Sequence, residues 1–433
     1  ISCTIKNIPM KNLAPVSILF VLLITLFASC GKVGQPAQTR TYGAATTQLI
    51  DLVEKDTLLK RLLITSIQKS KEANPDTVSN PAQSLEQYYD FISKMETSMP
   101  WAYVENFRKS SSFEHIFQSL CTFYFILDQP LPELEGKNPY HNSLQYYEPI
   151  GNWLTTFNKS WRQHLDSEQS WSQAYYEVIA SDPAFGLQNG WYEAPSNWKT
   201  FNQFFARHLS SPSARPIASP QDDAVVASFA DAEPQGAWAI DANSTIVEKQ
   251  GVAVKSANVK NIVSLIGEDS KYKDAFANGT FAHSFLNVND YHRYHFPVGG
   301  TIKEVRIIQG INPTGGIITW DAAAHRYSFD PSSVNWQMLE TRGCVIVETK
   351  EYGLVALLPI GMAAVGSVNF EPGVVEGAEV KKGDMLGYFL FGGSDFIVVF
   401  QDKVKFEIDA PKNSTGSYQH QLMGERLGRL TKK

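Results

Sequence analysis

Residues 290–297 read Asp290-Tyr291-His292-Arg293-Tyr294-His295-Phe296-Pro297, and a second short stretch, Phe391-Gly392-Gly393-Ser394-Asp395, opens the apolar run Phe396–Phe400. Two glycines before a serine let the backbone approach closely and leave the Gly393 carbonyl open to attack by the Ser394 hydroxyl. A third segment, Ser219-Pro220-Gln221-Asp222-Asp223, supplies carboxylates. An Asp, a His and a Ser in separate loops suit nucleophilic chemistry, because the hydroxyl needs a base and the base needs a carboxylate to orient it. On residue types alone this pattern also fits a serine hydrolase, but Gly392-Gly393-Ser394-Asp395-Phe396 lacks the second glycine of GxSxG. A binding protein without catalysis is the third reading.

Around these segments the pattern is that of strands. β-Branched and apolar runs occupy Thr301–Ile308, Cys344–Thr349, Leu354–Ile360 and Phe396–Phe400, and Glu351-Tyr352-Gly353 joins the middle two as a hairpin. Upstream the period changes to three and four: Leu49, Leu52, Val53, Leu59, Leu62, Leu63 and Ile67, then Leu85, Tyr88, Tyr89, Ile92 and Met95. Phe113, Ile116, Phe117, Leu120, Tyr124 and Leu127, and Ile150, Trp153, Leu154, Phe157 and Trp161, continue it on either side of a Pro-containing loop from Asp128 to Ser143. Their aromatic stripes are read as core. The fold class is therefore α+β, with a helical domain over 45–195 and a β-rich catalytic domain over 196–433. There is no GxGxxG, no P-loop and no internal repeat.

The chain has 433 residues, 43% hydrophobic and 12% aromatic, long enough for two or three domains of about 150 residues. Lys plus Arg total 38 against 44 Asp plus Glu, a net charge of −6. Such a chain has no basic footprint for phosphates, so nucleic acid is excluded as a partner. From Met10, taken as the start, Met-Lys-Asn leads into an uncharged, mostly apolar run from Leu13 to Ser29 and then Cys30-Gly31. That run is marginal for a bilayer span of about 20 residues and has the anatomy of a signal peptide. Leu26-Phe27-Ala28-Ser29-Cys30 resembles a bacterial lipoprotein signal. The resemblance implies a signal peptide over 1–29, a lipidated tether over 30–44 anchored through Cys30, and a cell-envelope location facing outside the cytoplasm.

From about residue 200 to 410 the chain resembles the phosphatidylserine decarboxylase family. The segments that carry the likeness occur in order: Phe201-Asn202-Gln203-Phe204-Phe205-Ala206-Arg207, Arg215-Pro216-Ile217, Ser219-Pro220-Gln221-Asp222, Asp290–Pro297, Val365-Gly366-Ser367, and Lys382–Phe389 leading into Gly392-Gly393-Ser394. The resemblance implies a zymogen that cuts itself between Gly393 and Ser394. His295, oriented by Asp222, deprotonates Ser394; the amide becomes an ester, and elimination turns residue 394 into a pyruvoyl group, the covalent cofactor. Two chains result, which stay associated. The ketone takes up the substrate amine and receives the electrons released with carbon dioxide. His292 matches the other family histidine and is assigned to protonate the resulting carbanion; its bland alternative is bracing the loop. No metal is implied, since the His292/His295 pair lacks the Glu of HExxH and a third ligand.

Several positions depart from the family pattern. Asp395 follows the serine where a small hydroxyl residue is usual, and Asp223 replaces a glycine, which leaves Asp222 and Asp223 as competing carboxylates. Leu339-Glu340-Thr341-Arg342 and Pro359-Ile360-Gly361-Met362 also differ, on what is read as the substrate side. Phe157–Leu165 and Gly190-Trp191-Tyr192 resemble the accessory domain of a divergent branch that includes an L-tryptophan decarboxylase. The expected reaction is decarboxylation of phosphatidylserine to phosphatidylethanolamine, with a free aromatic L-amino acid as the alternative substrate. Cys121 and Cys344 are expected to be buried free thiols. His115, His141, His164, His208, His283, His325 and His420 show no ligand spacing and receive no role.

Overall fold

A computed structural model describes residues 40–101, 111–247, 261–330, 336–364 and 367–433. The signal peptide, Cys30 and the Val365-Gly366 part of one motif lie outside the described residues. Helices come first: α1 (Ala44–Lys55), α2 (Thr57–Ala73), α3 (Leu85–Met95), α4 (Ser112–Leu127), α5 (Glu148–Leu165), α6 (Gln173–Ala180) and the short α7 (Phe201–Phe205). Most begin at a residue whose side chain accepts from the first turn, as Asp56 does from Leu58 and Leu59, and Ser84 from Gln87. α1 lacks such a cap. Instead the buried Glu96 carboxylate accepts from the Ala45 and Thr46 amides at 3.1 and 2.8 Å, an acid placed at the positive end of the helix.

Among the described residues sixteen strands follow: β1 (Val225–Ala227), β2 (Glu233–Ile240), β3 (Ile246–Val247), β4 (Thr280–Leu286), β5 (Arg293–His295), β6 (Gly300–Ile308), β7 (Ile317–Asp321), β8 (Arg326–Asp330), β9 (Thr341–Glu348), β10 (Leu354–Met362), β11 (Asn369–Phe370), β12 (Glu379–Val380), β13 (Met385–Tyr388), β14 (Gly393–Phe400), β15 (Val404–Ile408) and β16 (Arg426–Lys432). An eight-stranded antiparallel sheet has the order β12-β6-β9-β10-β14-β4-β2-β3, and β11-β13-β5, β1-β16-β15 and the hairpin β7-β8 form the rest. The expected hairpin across 351–353 is β9–β10. Each expected strand is present and is lengthened at one end by ladder partners that a local pattern does not reveal, while β9 stops at Glu348, one residue short of the expected end.

β14 is buried along its whole length, which its unbroken apolar run requires. Side chains alternate across it: Phe396, Val398 and Phe400 enter one core, and Ile397 and Val399 enter the core on the other face. A third core joins the helices to the β-rich part, since Leu120, Phe123, Trp161 and Phe201 share it with Val288, Ile318, Ala363 and Phe391. Tyr42–Lys433 forms one compact unit. Gln118 of α4 extends the β7–β8 hairpin, donating to the Tyr327 carbonyl at 2.9 Å and accepting from the Tyr327 amide at 2.7 Å. Cys121 and Cys344 are buried and free. No helix among the described residues is long and apolar enough to cross a membrane.

Candidate active site

Ser394 lies one residue inside β14, opposite Gly361 on β10 and Leu286 on β4. The chain enters the strand through Gly392 at φ +145, a conformation that side chains rarely adopt. Phe391, just upstream, is held by α5 and α7: its ring packs on Trp161, Phe201 and Phe205 at 5.2–5.3 Å, and its amide donates to the Asn202 side chain at 2.9 Å. A side chain at Gly393 would meet Met362 Cγ at 2.9 Å. The Ser394 hydroxyl is fully buried and has no hydrogen-bond partner. A buried hydroxyl left unsatisfied costs about 1–3 kcal/mol, so the fold carries a reactive group it does not use for stability.

His292 immediately precedes β5 and His295 ends it, and β5 pairs with β13. The His295 amide donates to the Phe229 carbonyl at 2.7 Å, and Phe229 stacks on Phe396 at 4.1 Å, two residues beyond Ser394. His295 Nδ1 lies 2.8 Å from the Gly383 carbonyl, which only a protonated nitrogen can satisfy. Nε2 is thereby left as the basic nitrogen, and it faces the Tyr291 hydroxyl at 3.2 Å. Burial pushes this imidazole down to about 4, against the Gly383 carbonyl and the Asp231 carboxylate. His292 is arranged the same way: Nδ1 donates to the Asp290 carbonyl at 2.9 Å, while Nε2 is buried without a partner. Phe205 stacks on it at 3.8 Å, and burial together with Arg207 holds it well below the ordinary histidine value. Both rings are neutral bases near pH 7.

The structure places Asp222 on the surface, 42% exposed, where its carboxylate pairs with Arg429 at 3.0 Å, and not against His295. The polar turn Ser219-Pro220-Gln221-Asp222-Asp223 stays in water because it has no apolar residue to bury. By contrast Asp231, whose negative charge favours the protonated form of His295, is buried. Arg215 grips it with Nε and Nη2 at 3.0 and 2.6 Å, and the Met423 amide donates to it at 2.7 Å. Sequence reasoning missed Asp231, although a signal existed: it ends the run Val225-Val226-Ala227-Ser228-Phe229-Ala230, whose apolar side chains must carry it inward. Both motif arginines prove to be builders, since Arg207 is buried and donates to the Asn289 and Asp290 carbonyls at 2.9 and 3.0 Å.

The departures also find places. Asp395 points away from Ser394, into the opposite face of β14, where His283 Nδ1 lies 3.1 Å from its carboxylate. Arg342 donates to the Leu265, Ser264, Met338 and Glu340 carbonyls, a structural clamp rather than a free cation. The Glu340 carboxyl beside it is buried, and burial pushes it well above the usual range. His420, given no role from sequence, pairs with buried Asp290 at 2.8 Å and is thereby pushed up to about 9 despite its own partial burial. It lines a cleft with Asp231, Trp191 and Tyr192, next to an apolar cavity that Gly393 reaches; Asn287 borders both. Among the described residues no three His, Cys, Asp or Glu side chains are grouped to hold a metal ion.

Residues 201–429, more than half of the chain, match the family model described as phosphatidylserine decarboxylase. The chain is similar to phosphatidylserine decarboxylase proenzyme 2 of Oryza sativa subsp. japonica, 35% identical over 54% of this chain and 35% of the relative. It is also similar to phosphatidylserine decarboxylase proenzyme 2 of Komagataella phaffii, 32% identical over 51% of this chain and 20% of the relative. The proenzyme of Chlamydia felis is 30% identical over 66% of this chain and 90% of its own length. The matched region thus spans about a third or less of the rice and yeast relatives and nearly all of the chlamydial one.

Proposed function

The chain belongs to the phosphatidylserine decarboxylase family, and from that premise we propose that it is a self-cleaving carboxy-lyase converting phosphatidylserine to phosphatidylethanolamine. The observation that carries this reading is the unpartnered, buried Ser394 hydroxyl behind Gly392-Gly393, within the region that matches the family. Such a hydroxyl fits a residue that is consumed rather than kept. Formed from Ser394, the pyruvoyl group supplies the ketone that draws electrons away from the substrate as carbon dioxide leaves.

The chain's own residues take the remaining roles. His295, neutral because it is buried, accepts the Ser394 proton at Nε2 once that nitrogen turns from Tyr291. Asp231, fixed by Arg215, replaces Asp222 as the carboxylate that supports it. His292 brings an open Nε2 to deliver a proton to the substrate carbon after decarboxylation. Because β14 lies between β10 and β4, the two chains remain together after the cut. Cys30 carries the lipid anchor and holds the enzyme at the outer side of a membrane, where phospholipid is at hand.

Intact-mass analysis tests the reading. Two chains meeting at Gly393 and Ser394, the smaller with a keto terminus that borohydride couples to phosphatidylserine, are expected. A folded single chain with unmodified Ser394 would refute it.

A further inference from the structure

The apolar cavity at Gly393 has one wall that the family match does not cover. Phe117, Leu120, Cys121 and Tyr124 of α4 line it opposite Ile318 and Met362, and α4 ends at Leu127, far ahead of the matched residues 201–429. Polar groups there are few and largely engaged. Thr314 donates its amide and hydroxyl to Gln145 at 2.8 and 3.0 Å, and the Tyr124 hydroxyl donates to the Asn312 carbonyl at 3.2 Å. Burial pushes the Cys121 thiol up, so it carries no charge. A buried water needs two to four polar partners, and this wall does not supply them.

Dryness at this position matters because the ester joining Gly393 to the Ser394 oxygen has two fates. In elimination a base removes the Ser394 Cα proton, the Cβ–Oγ bond breaks, and Oγ departs as part of the Gly393 carboxylate. The dehydroalanine left behind takes up one water and releases ammonia, which yields the ketone. In hydrolysis water adds to the Gly393 carbonyl, the acyl–Oγ bond breaks, and Ser394 emerges as an ordinary serine with a free amino group. Both routes cut the chain, but only elimination makes the cofactor.

We propose that α4 keeps water from the Gly393 carbonyl and so commits the ester to elimination, which makes the helical half a participant in cofactor formation. The proposal rests on self-cleavage at Gly393–Ser394. Its test is the terminus of the small chain, read by intact mass: a keto end is lighter than a serine end by one ammonia. Native protein and Leu120→Met, which stays apolar, should give keto ends. Phe117→Ala, which opens the wall, and Cys121→Ser, which adds a hydroxyl, should raise the serine-ended fraction several-fold. Folded, cut variants with the native ratio would overturn the proposal. Maturation of native protein in hydroxylamine gives a reading that does not depend on the variants folding. Small chains that stay free of serine ends support the wall, whereas diversion to a Gly393 hydroxamate and a serine end overturns it. A native chain left uncut refutes the activity itself, a different result from a cut chain with the wrong terminus.

Discussion

Asp231 and Asp222 carry the same side chain in opposite surroundings, one buried under Arg215 and the other in solvent beside Arg429. Asp231→Asn should therefore slow self-cleavage by ~100-fold, within the range that positioned acid–base groups contribute, while Asp222→Asn should cut like the native chain on a denaturing gel time course. Equal rates for the two variants would return the carboxylate's role to the surface turn. His292→Ala should still be cut but should release carbon dioxide slowly; full turnover would remove its protonation role. Titration has a sign as well. His295 falls from 6.5 to about 4 on folding, so the unfolded chain binds more protons between those values and stability drops as pH falls through that window. His420 rises from 6.5 to about 9, so its contribution is complete below 6.5 and disappears as pH climbs toward 9. Thermal melts should peak near pH 6.5, and His420→Gln should flatten the alkaline side.

At the scale of elements, two side chains do work that backbone usually does. Glu96 supplies the N-terminal acceptors of α1 and also takes the Ser160 hydroxyl of α5 at 2.9 Å. Gln118 continues the β7–β8 ladder from inside α4. Gln118→Ala leaves a buried amide and carbonyl of Tyr327 unpaired, at a cost of about 1–3 kcal/mol for each group. Denaturant unfolding should register that loss, and with α4 displaced from the hairpin the cavity wall at Gly393 should loosen. An unchanged midpoint would mean that water replaces the amide at no cost.

For the whole molecule, the decisive feature is the position of the proposed cleavage site, Gly393–Ser394, at the start of a central strand. The segment after the cut contains β14, inside the large sheet, and β16, between β1 and β15. Native size-exclusion chromatography should show both chains co-eluting, and only denaturant should part them; release of the small chain from native protein would contradict this topology. The helical half is tied into the same body. Asn158 of α5 donates to the Ala363 carbonyl at 2.9 Å and Trp161 packs on Phe391 at 5.3 Å, so removal of residues 45–195 should leave an insoluble catalytic part rather than a minimal enzyme.

Periodicity alone marked the apolar faces of α1 to α5 and the strands β6, β9, β10 and β14, because each must bury a continuous apolar face that a local pattern records. Gly393-Ser394 and both histidines were legible from the family resemblance of their segments, not from spacing alone. Only the tertiary structure separates a buried Asp231 from an exposed Asp222. Burial is a property of what packs around a residue, and Arg215 and Met423 reach Asp231 from different parts of the chain. The pairing of Asp395 with His283, the partnership of His420 with Asp290, and the cover that α4 gives to Gly393 arise in the same way. Each joins residues separated by more than a hundred positions, a proximity that exists only once the sheet has closed.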